Sequence, residues 1–240
     1  MNNPIIVALD LDDVEKARKL TEKLAPYVGG FKFGPRLTLR CERSFLKELS
    51  SQAILFIDHK FFDIPSTTVA NVKVAAELGA HWVTVHALNG PHCLQELAAL
   101  EIEIRKTKKD FRILAVTVLT SFSKETLPPI WKDQSISQSV IDLAKSVHQQ
   151  GLHSLVCSAE EIEVLKKQNQ DTFLVVPGIR PEGSASNDQN RMATPIQALK
   201  RGASALVIGR PIIDDKDPIE AAKRIFESIQ NHTVQKAADR

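Results

Sequence analysis

The stretch AILFIDHKFFDIPSTTVANVKVAAELGAHWVTVHA, residues 53–87, changes its hydrophobic period twice. AILFIDHK (53–60) is a near-continuous apolar run that ends in charged residues, the pattern of a parallel strand covered on both faces. Val69, Val72 and Ala76 then recur at helical spacing, and Gly79 stands where such a helix stops. WVTVHA (82–87) is a second strand. The unit is strand, helix, strand, and the same alternation extends to both ends of the chain. The further strand candidates are IIVALD (5–10), GFKFG (30–34), RILAVTVLT (112–120), SLVCS (154–158), FLVVPG (173–178) and ALVIGR (205–210).

Amphipathic helices fill the intervals. Val14, Ala17, Leu20, Leu24 and Val28 form one stripe, with Asp12 and Glu15 spaced as a capping box at its start. Asp217-Pro218 reads as an N-cap followed by proline at the first helical position, and Ile219, Ala222, Phe226 and Ile229 as the buried face behind it. Eight strands, each followed by a helix, predict an α/β fold closed as a (β/α)8 barrel, the TIM-barrel arrangement, in one domain over residues 1–240. An open doubly wound sheet is the competing architecture, but no G-x-G-x-x-G follows the first strand. The polar tail beyond about residue 231 is expected to fray.

The composition fits that size. The chain has 240 residues, 43% apolar and 25% charged, and barrels of this class typically run to about 250 residues. Lys and Arg number 31 against 29 Asp and Glu, too balanced for a non-specific nucleic-acid binder or a polybasic membrane anchor. Aromatic residues make up 5%, too few for a stacking platform for single strands. No apolar run approaches the roughly 18 residues needed to span a bilayer. MNNPIIVALD has no basic stretch leading into a long apolar one, so it does not read as a signal peptide. Cys41, Cys93 and Cys157 are scattered, with no C-x-x-C, which points to a reduced, cytoplasmic protein.

Polar groups fall at the C-terminal ends of the strands: Asp10, Lys32, Asp58 with Lys60, His86, Thr120, Arg180 and Arg210. Taken singly, each is a surface charge at a strand end. In a parallel barrel these ends converge, so the set would ring one pocket. Asp58 and Lys60 are two apart and share a face. Lys32 on the neighbouring strand adds a second ammonium, and Asp63 a second carboxylate if its loop reaches the same space. An alternating array of this kind keeps its members ionised in a dry site. The same spacing also describes a buried ion-pair network that merely fixes the barrel. Loops after strands seven and eight commonly hold phosphate. Here they carry Arg180, Gln189 and the pair Gly209-Arg210, which read either as an anion site or as an ordinary turn into the last helix. The histidines lack ligand spacing for a metal, and neither a nucleophile elbow nor a P-loop is present. The long connections 121–135 and 179–195 both follow strands, where loops usually serve ligands.

FIDHKFFDIPSTT (56–68) resembles the motif Asp-x-Lys-x-x-Asp-Ile-Pro-Asn-Thr of the orotidine 5′-phosphate decarboxylase family. VALD (7–10), FKFG (31–34), TVHA (84–87), AVTVLTS (115–121), VPGIRPEG (176–183), DQNRMATP (188–195) and VIGRPI (207–212) match in the same order over nearly the whole chain. Ser66 departs from the family's usual Asn. The resemblance implies conversion of orotidine 5′-monophosphate to uridine 5′-monophosphate and CO2, the last step of de novo pyrimidine synthesis, with no cofactor and no metal. It implies that Lys60 donates the proton to C6 and that Asp58 faces the departing carboxylate, with Lys32 and Asp63 completing the array. It implies a homodimer in which Asp63 and Thr67 enter the partner's site. Asp10, Lys32 and Thr67 would contact the ribose, Thr120 and Ser121 the pyrimidine, and Arg180, Gln189, Gly209 and Arg210 the phosphate and lid, with Asp58 and Ile64 as further substrate-binding residues. Related sugar-phosphate barrels such as hexulose-phosphate synthases share Asp-x-Lys-x-x-Asp and usually depend on magnesium, so a metal-assisted enzyme is the alternative, and a non-catalytic nucleotide-binding barrel a third.

Overall fold

Eight parallel strands close on themselves in chain order, with β8 hydrogen-bonded back to β1. The computed structural model describes residues 3–131, 134–181 and 192–238. The order is β1 (Ile5–Ala8), α1 (Val14–Leu24), β2 (Gly30–Phe33), α2 (Pro35–Thr38), α3 (Arg43–Ser50), β3 (Ile54–Phe61), α4 (Pro65–Glu77), β4 (Trp82–His86), α5 (Gly90–Arg105) and β5 (Arg112–Val116). It continues with α6 (Ile136–Gln149), β6 (Ser154–Val156), α7 (Ile162–Gln168), β7 (Phe173–Val176), α8 (Pro195–Arg201), β8 (Ala205–Ile208), α9 (Arg210–Ile213) and α10 (Pro218–Ala238). This is the (β/α)8 barrel that the alternating pattern predicts, and the open doubly wound sheet is excluded by the β1–β8 pairing.

The two-residue period of the strands divides the apolar residues into two sets. Val7, Phe31, Phe33, Ile57, Val83 and Val85 face the helices and join the large outer core. Ile6, Ala8, Phe56, Trp82, Leu114, Val175, Ala205 and Val207 face inward and fill the cylinder. Trp82 packs edge-on against Phe56 and Phe173, with ring centroids 5.8 and 5.3 Å apart. The Arg112 guanidinium lies 4.1 Å over the Phe173 ring and donates to Ser154 Oγ at 3.4 Å. The N-terminal end of the cylinder is thus plugged by aromatics, and polar side chains can converge at the C-terminal end.

Local signals hold in part. α4 ends at Glu77, with Gly79 at φ +99° just beyond. Asp217 accepts from the N–H groups of Ile219 and Glu220, capping α10 at its proline. The cap of α1 differs from expectation. Asp13 is the N-cap, its Oδ1 accepting from Lys16 N at 3.0 Å, because Asp12 is drawn away by the guanidiniums of Arg36 and Arg40. α10 does not stop near residue 231 but continues to Ala238, since NHTVQKAA contains no Gly or Pro to break it. β5 ends at Val116, short of Thr120, and just beyond it the Thr117 N–H and hydroxyl both donate to Val156 O, at 3.3 and 3.0 Å.

Gly30 faces Ile54 across β2 and β3. A Cβ on Gly30 would lie 2.3 Å from the Ile54 carbonyl oxygen, which is backbone and cannot swing aside. Glycine here lets the two strands that carry Lys32 and Asp58 approach each other. G30A is expected to destabilise the protein by about 1–3 kcal/mol, as for other overpacked interior sites. The check is a lower denaturant midpoint with an unchanged m value.

Candidate active site

The site begins with an irregularity in β3. Ile57 pairs with Val83 and Phe61 pairs with Val85, so Asp58, His59 and Lys60 all stand opposite the single residue Thr84. β3 therefore carries a bulge at its C-terminal end, a device that re-aims side chains. Lys60 adopts φ +50°, the left-handed region that a non-glycine residue enters at a cost of about 1–2 kcal/mol. Its backbone N–H finds a side chain, Thr84 Oγ1 at 2.8 Å, in place of a ladder carbonyl. The Thr84 hydroxyl in turn donates to Asp58 Oδ1 at 3.0 Å.

From this bulge runs a chain of alternating charges whose two ends, Lys60 at 38% side-chain exposure and Asp10, are the more open members. Lys60 Nζ lies 2.9 Å from Asp58 Oδ1, Asp58 Oδ2 lies 3.3 Å from Lys32 Nζ, and Lys32 Nζ lies 3.0 Å from Asp10 Oδ1. Asp58 and Lys32 are the deepest members, with side chains 13% and 12% exposed, whereas Asp10 is 60% exposed. Burial alone would raise the Asp58 carboxyl, but the Lys32 and Lys60 ammoniums, with hydrogen bonds from Lys60 and Thr84, hold it below the usual carboxylate range. Burial likewise disfavours the Lys32 ammonium, and Asp58 and Asp10 more than reverse that. Removing water from such a network costs about as much as its attractions return, so the barrel has little structural use for it. His86 caps the next turn through Nδ1, accepting from Leu88 N at 3.2 Å. Burial and the Lys60 ammonium keep its ring below the ordinary imidazole range.

These charges form one wall of a cavity of about 510 Å³ at the C-terminal mouth of the barrel. Its floor is apolar: Ala8, Phe56, Val116, Val156, Val175 and Val207. Arg180, Gly209 and Arg210 line it from the β7 and β8 ends, and β7 is diametrically opposite β3 in the closed order. Arg180 is only 8% exposed and donates through Nη1 to Ile179 O at 2.9 Å. A Cβ on Gly209 would meet only Ala8, at ordinary contact distances of 3.5 Å and above, so packing does not demand glycine there. The bare backbone at Gly209 instead widens the cavity.

Of the residues expected at the site, Asp10, Lys32, Asp58, Lys60, Thr120, Arg180, Gly209 and Arg210 share this cavity. Ser121 follows Thr120 but is exposed and lies outside the cavity lining. Asp63, Ile64 and Thr67 also lie outside it within one chain. Asp63 is exposed and turns its Oδ1 onto Ile64 N at 2.6 Å, while Ile64 caps α4 and Thr67 sits in that helix's first turn. Around them Phe62, Ile64 and Leu88 are exposed apolar side chains. Gln189 lies outside the described residues. Sequence reasoning missed Thr84 and Arg36. The alternation Trp82, Thr84, His86 could have placed Thr84 inward, but its pairing to both Asp58 and Lys60 depends on the bulge. Arg36 lines the cavity while held by Asp12, a contact between α2 and the loop before α1 that no local pattern reveals.

Comparison with known proteins identifies the family of the barrel. Residues 3–225 match the model of the orotidine 5′-phosphate decarboxylase / HUMPS family. An orotidine 5′-phosphate decarboxylase of Shewanella sediminis is 40% identical over 230 residues, covering 95% of this chain and 97% of the relative. One from Pseudomonas fluorescens strain Pf0-1 is 42% identical over 228 residues, covering 94% and 97%. The crystal structure of orotidine 5′-phosphate decarboxylase from Lactobacillus acidophilus superposes with a TM-score of 0.82 at 34% identity, covering 95% of this chain and 99% of that one. With the family model spanning nearly the whole barrel and relatives of this similarity along its full length, the chain belongs to the orotidine 5′-phosphate decarboxylase / HUMPS family.

Proposed function

We propose that this protein decarboxylates orotidine 5′-monophosphate to uridine 5′-monophosphate and CO2, using its own side chains. The observation that carries the reading is the run Asp10, Lys32, Asp58, Lys60 on one wall of a cavity whose opposite rim holds Arg180 and Arg210. One side suits the reacting carbon and ribose, and the other suits a phosphate.

The reaction is difficult because the electron pair left at C6 lies in the plane of the pyrimidine and cannot enter the ring π system. Stabilisation must come from a charge already in place. Lys60 is the residue for this role. Its Nζ is tied to Asp58, its backbone is fixed at the bulge, and the apolar floor beneath it keeps the local dielectric low. The carboxylate leaves as CO2, the C6 electron pair takes a proton from Lys60 Nζ, and the neutral amine regains a proton from solvent after release. Asp58 faces the departing carboxylate. Asp10 and Lys32 bind the ribose hydroxyls, Thr120 and Ser121 the pyrimidine, and Arg180, Gly209, Arg210 and Gln189 the phosphate. The phosphate is remote from the breaking bond, and its binding energy serves to fix the ring over Lys60.

The exposed Phe62, Ile64 and Leu88 beside Asp63 suit burial against a second copy of the chain. In that homodimer Asp63 and Thr67 complete the partner's site, with Ile64 packed beside them. The three cysteines are free thiols, which fits a reducing, cytoplasmic setting.

Three outcomes test this. K60A is expected to abolish loss of orotidine 5′-monophosphate absorbance while binding uridine 5′-monophosphate within about tenfold of wild type, since only transition-state stabilisation is removed. Near-normal kcat in that variant would refute Lys60 as proton donor. R210A is expected to weaken nucleotide binding by about 1.5–3 kcal/mol, roughly 10- to 150-fold in Kd, with nucleoside binding unchanged. Calorimetry with both ligands measures the difference. An equal mixture of inactive K60A and D63N chains is expected to recover about a quarter of wild-type activity through mixed dimers that each hold one intact site. A mixture that stays inactive after subunit exchange would place Asp63 within its own chain's chemistry.

A further inference from the structure

Thr84 is fully buried on β4 and forms no part of the cavity wall. It nevertheless bonds to both members of the pair at the centre of the site. Its Oγ1 accepts from Lys60 N at 2.8 Å and donates to Asp58 Oδ1 at 3.0 Å. A hydroxyl has one proton to donate and lone pairs to accept, so one side chain meets both demands without competition. It is also the single residue of β4 facing the three-residue bulge Asp58-His59-Lys60. In a regular parallel ladder the N–H of a strand residue would meet a backbone carbonyl. Here the bulge removes that option, and Lys60 at φ +50° would bury an unmatched donor without the threonine oxygen.

We propose that Thr84 is a positioning residue for the decarboxylation: its hydroxyl pins the Lys60 backbone in the left-handed conformation and fixes the rotamer of Asp58, which sets where the Lys60 ammonium stands. Asp58 then has three fixed partners, Lys32, Lys60 and Thr84, from β2, β3 and β4. Thr84 is the neutral member of the three, so it orients the carboxylate without altering the charge balance. Because it does not line the cavity, its loss should act on turnover and leave ligand binding nearly unchanged. The proposal rests on Lys60 being the proton donor.

The test compares T84V, which keeps the shape and removes the hydroxyl, with T84S, which keeps the hydroxyl and removes a methyl. T84V is expected to lose about 10- to 100-fold in kcat, with KM and uridine 5′-monophosphate affinity within about threefold, the pattern of an interaction needed in the transition state. T84S is expected to recover kcat to within about threefold of wild type. Equal damage in both variants, or a change confined to KM, would overturn the proposal in favour of simple packing. So would a T84V enzyme with wild-type kcat. If T84V does not fold, T84C replaces it, keeping the size with only a weak donor. K60A in the same assay separates the two ideas. An active K60A enzyme removes the premise, whereas an inactive K60A beside an unaffected T84V removes only the role of Thr84.

Discussion

The Asp58 carboxylate lies between two ammoniums, Lys60 Nζ at 2.9 Å and Lys32 Nζ at 3.3 Å, and the rest of the molecule is arranged around that contact. A buried anion of this kind is tolerable only with partners on more than one side. Two of its partners come from neighbouring strands, so the contact requires β2, β3 and β4 to lie side by side in register. A closed parallel barrel supplies this. It brings the C-terminal ends of strands far apart in sequence to one mouth and leaves no sheet edge to shift.

The interior below the mouth explains why the charges stay where they are. Phe56, Trp82 and Phe173 interlock at the lower end, and Ala8, Val116, Val156, Val175 and Val207 form a tight layer above them. Such close packing has low compressibility and resists collapse of the cavity. Apart from Arg112, whose guanidinium lies over Phe173 at the lower end, charge enters in the last inward layer of the strands, where solvent begins. The half of the mouth built by β1 to β3 carries the alternating carboxylates and ammoniums with the Arg36 guanidinium beside them, whereas the β7 and β8 half offers Arg180, Arg210 and bare Gly209 backbone, with Asp214 at its edge. The two sides of the mouth therefore offer a bound ligand different chemistry.

Much of this was legible in the amino-acid order because it depends on period. Near-continuous strands separated by amphipathic helices define the barrel, and charged residues at strand ends define the mouth. Asp58 and Lys60, two apart, are read onto one face by the ordinary pleat, and they do meet, though through a bulge with a left-handed lysine. What the order of residues hid was tertiary competition. Asp12 has the spacing of a cap but is claimed by Arg36 and Arg40 from another element, so Asp13 caps instead. Thr84 looks like any strand threonine until the opposing strand gains two residues. Asp63 stands in the motif but lies outside its own chain's cavity lining, where the turn into α4 uses its carboxylate as a backbone acceptor.

The lysine conformation carries the deeper physical lesson. A lysine side chain is long, flexible and strongly hydrated, a poor choice for a fixed charge unless its freedom is removed beforehand. Here both ends are held: the main-chain nitrogen by a buried hydroxyl and the ammonium by a buried carboxylate that the same hydroxyl orients. The cost of the left-handed backbone and of the buried Asp58 carboxylate falls on folding, where a large apolar core can offset it. In the role proposed for Lys60, little reorganisation would remain when negative charge develops on carbon, which is the condition under which a single ammonium can stabilise a carbanion that has no resonance of its own.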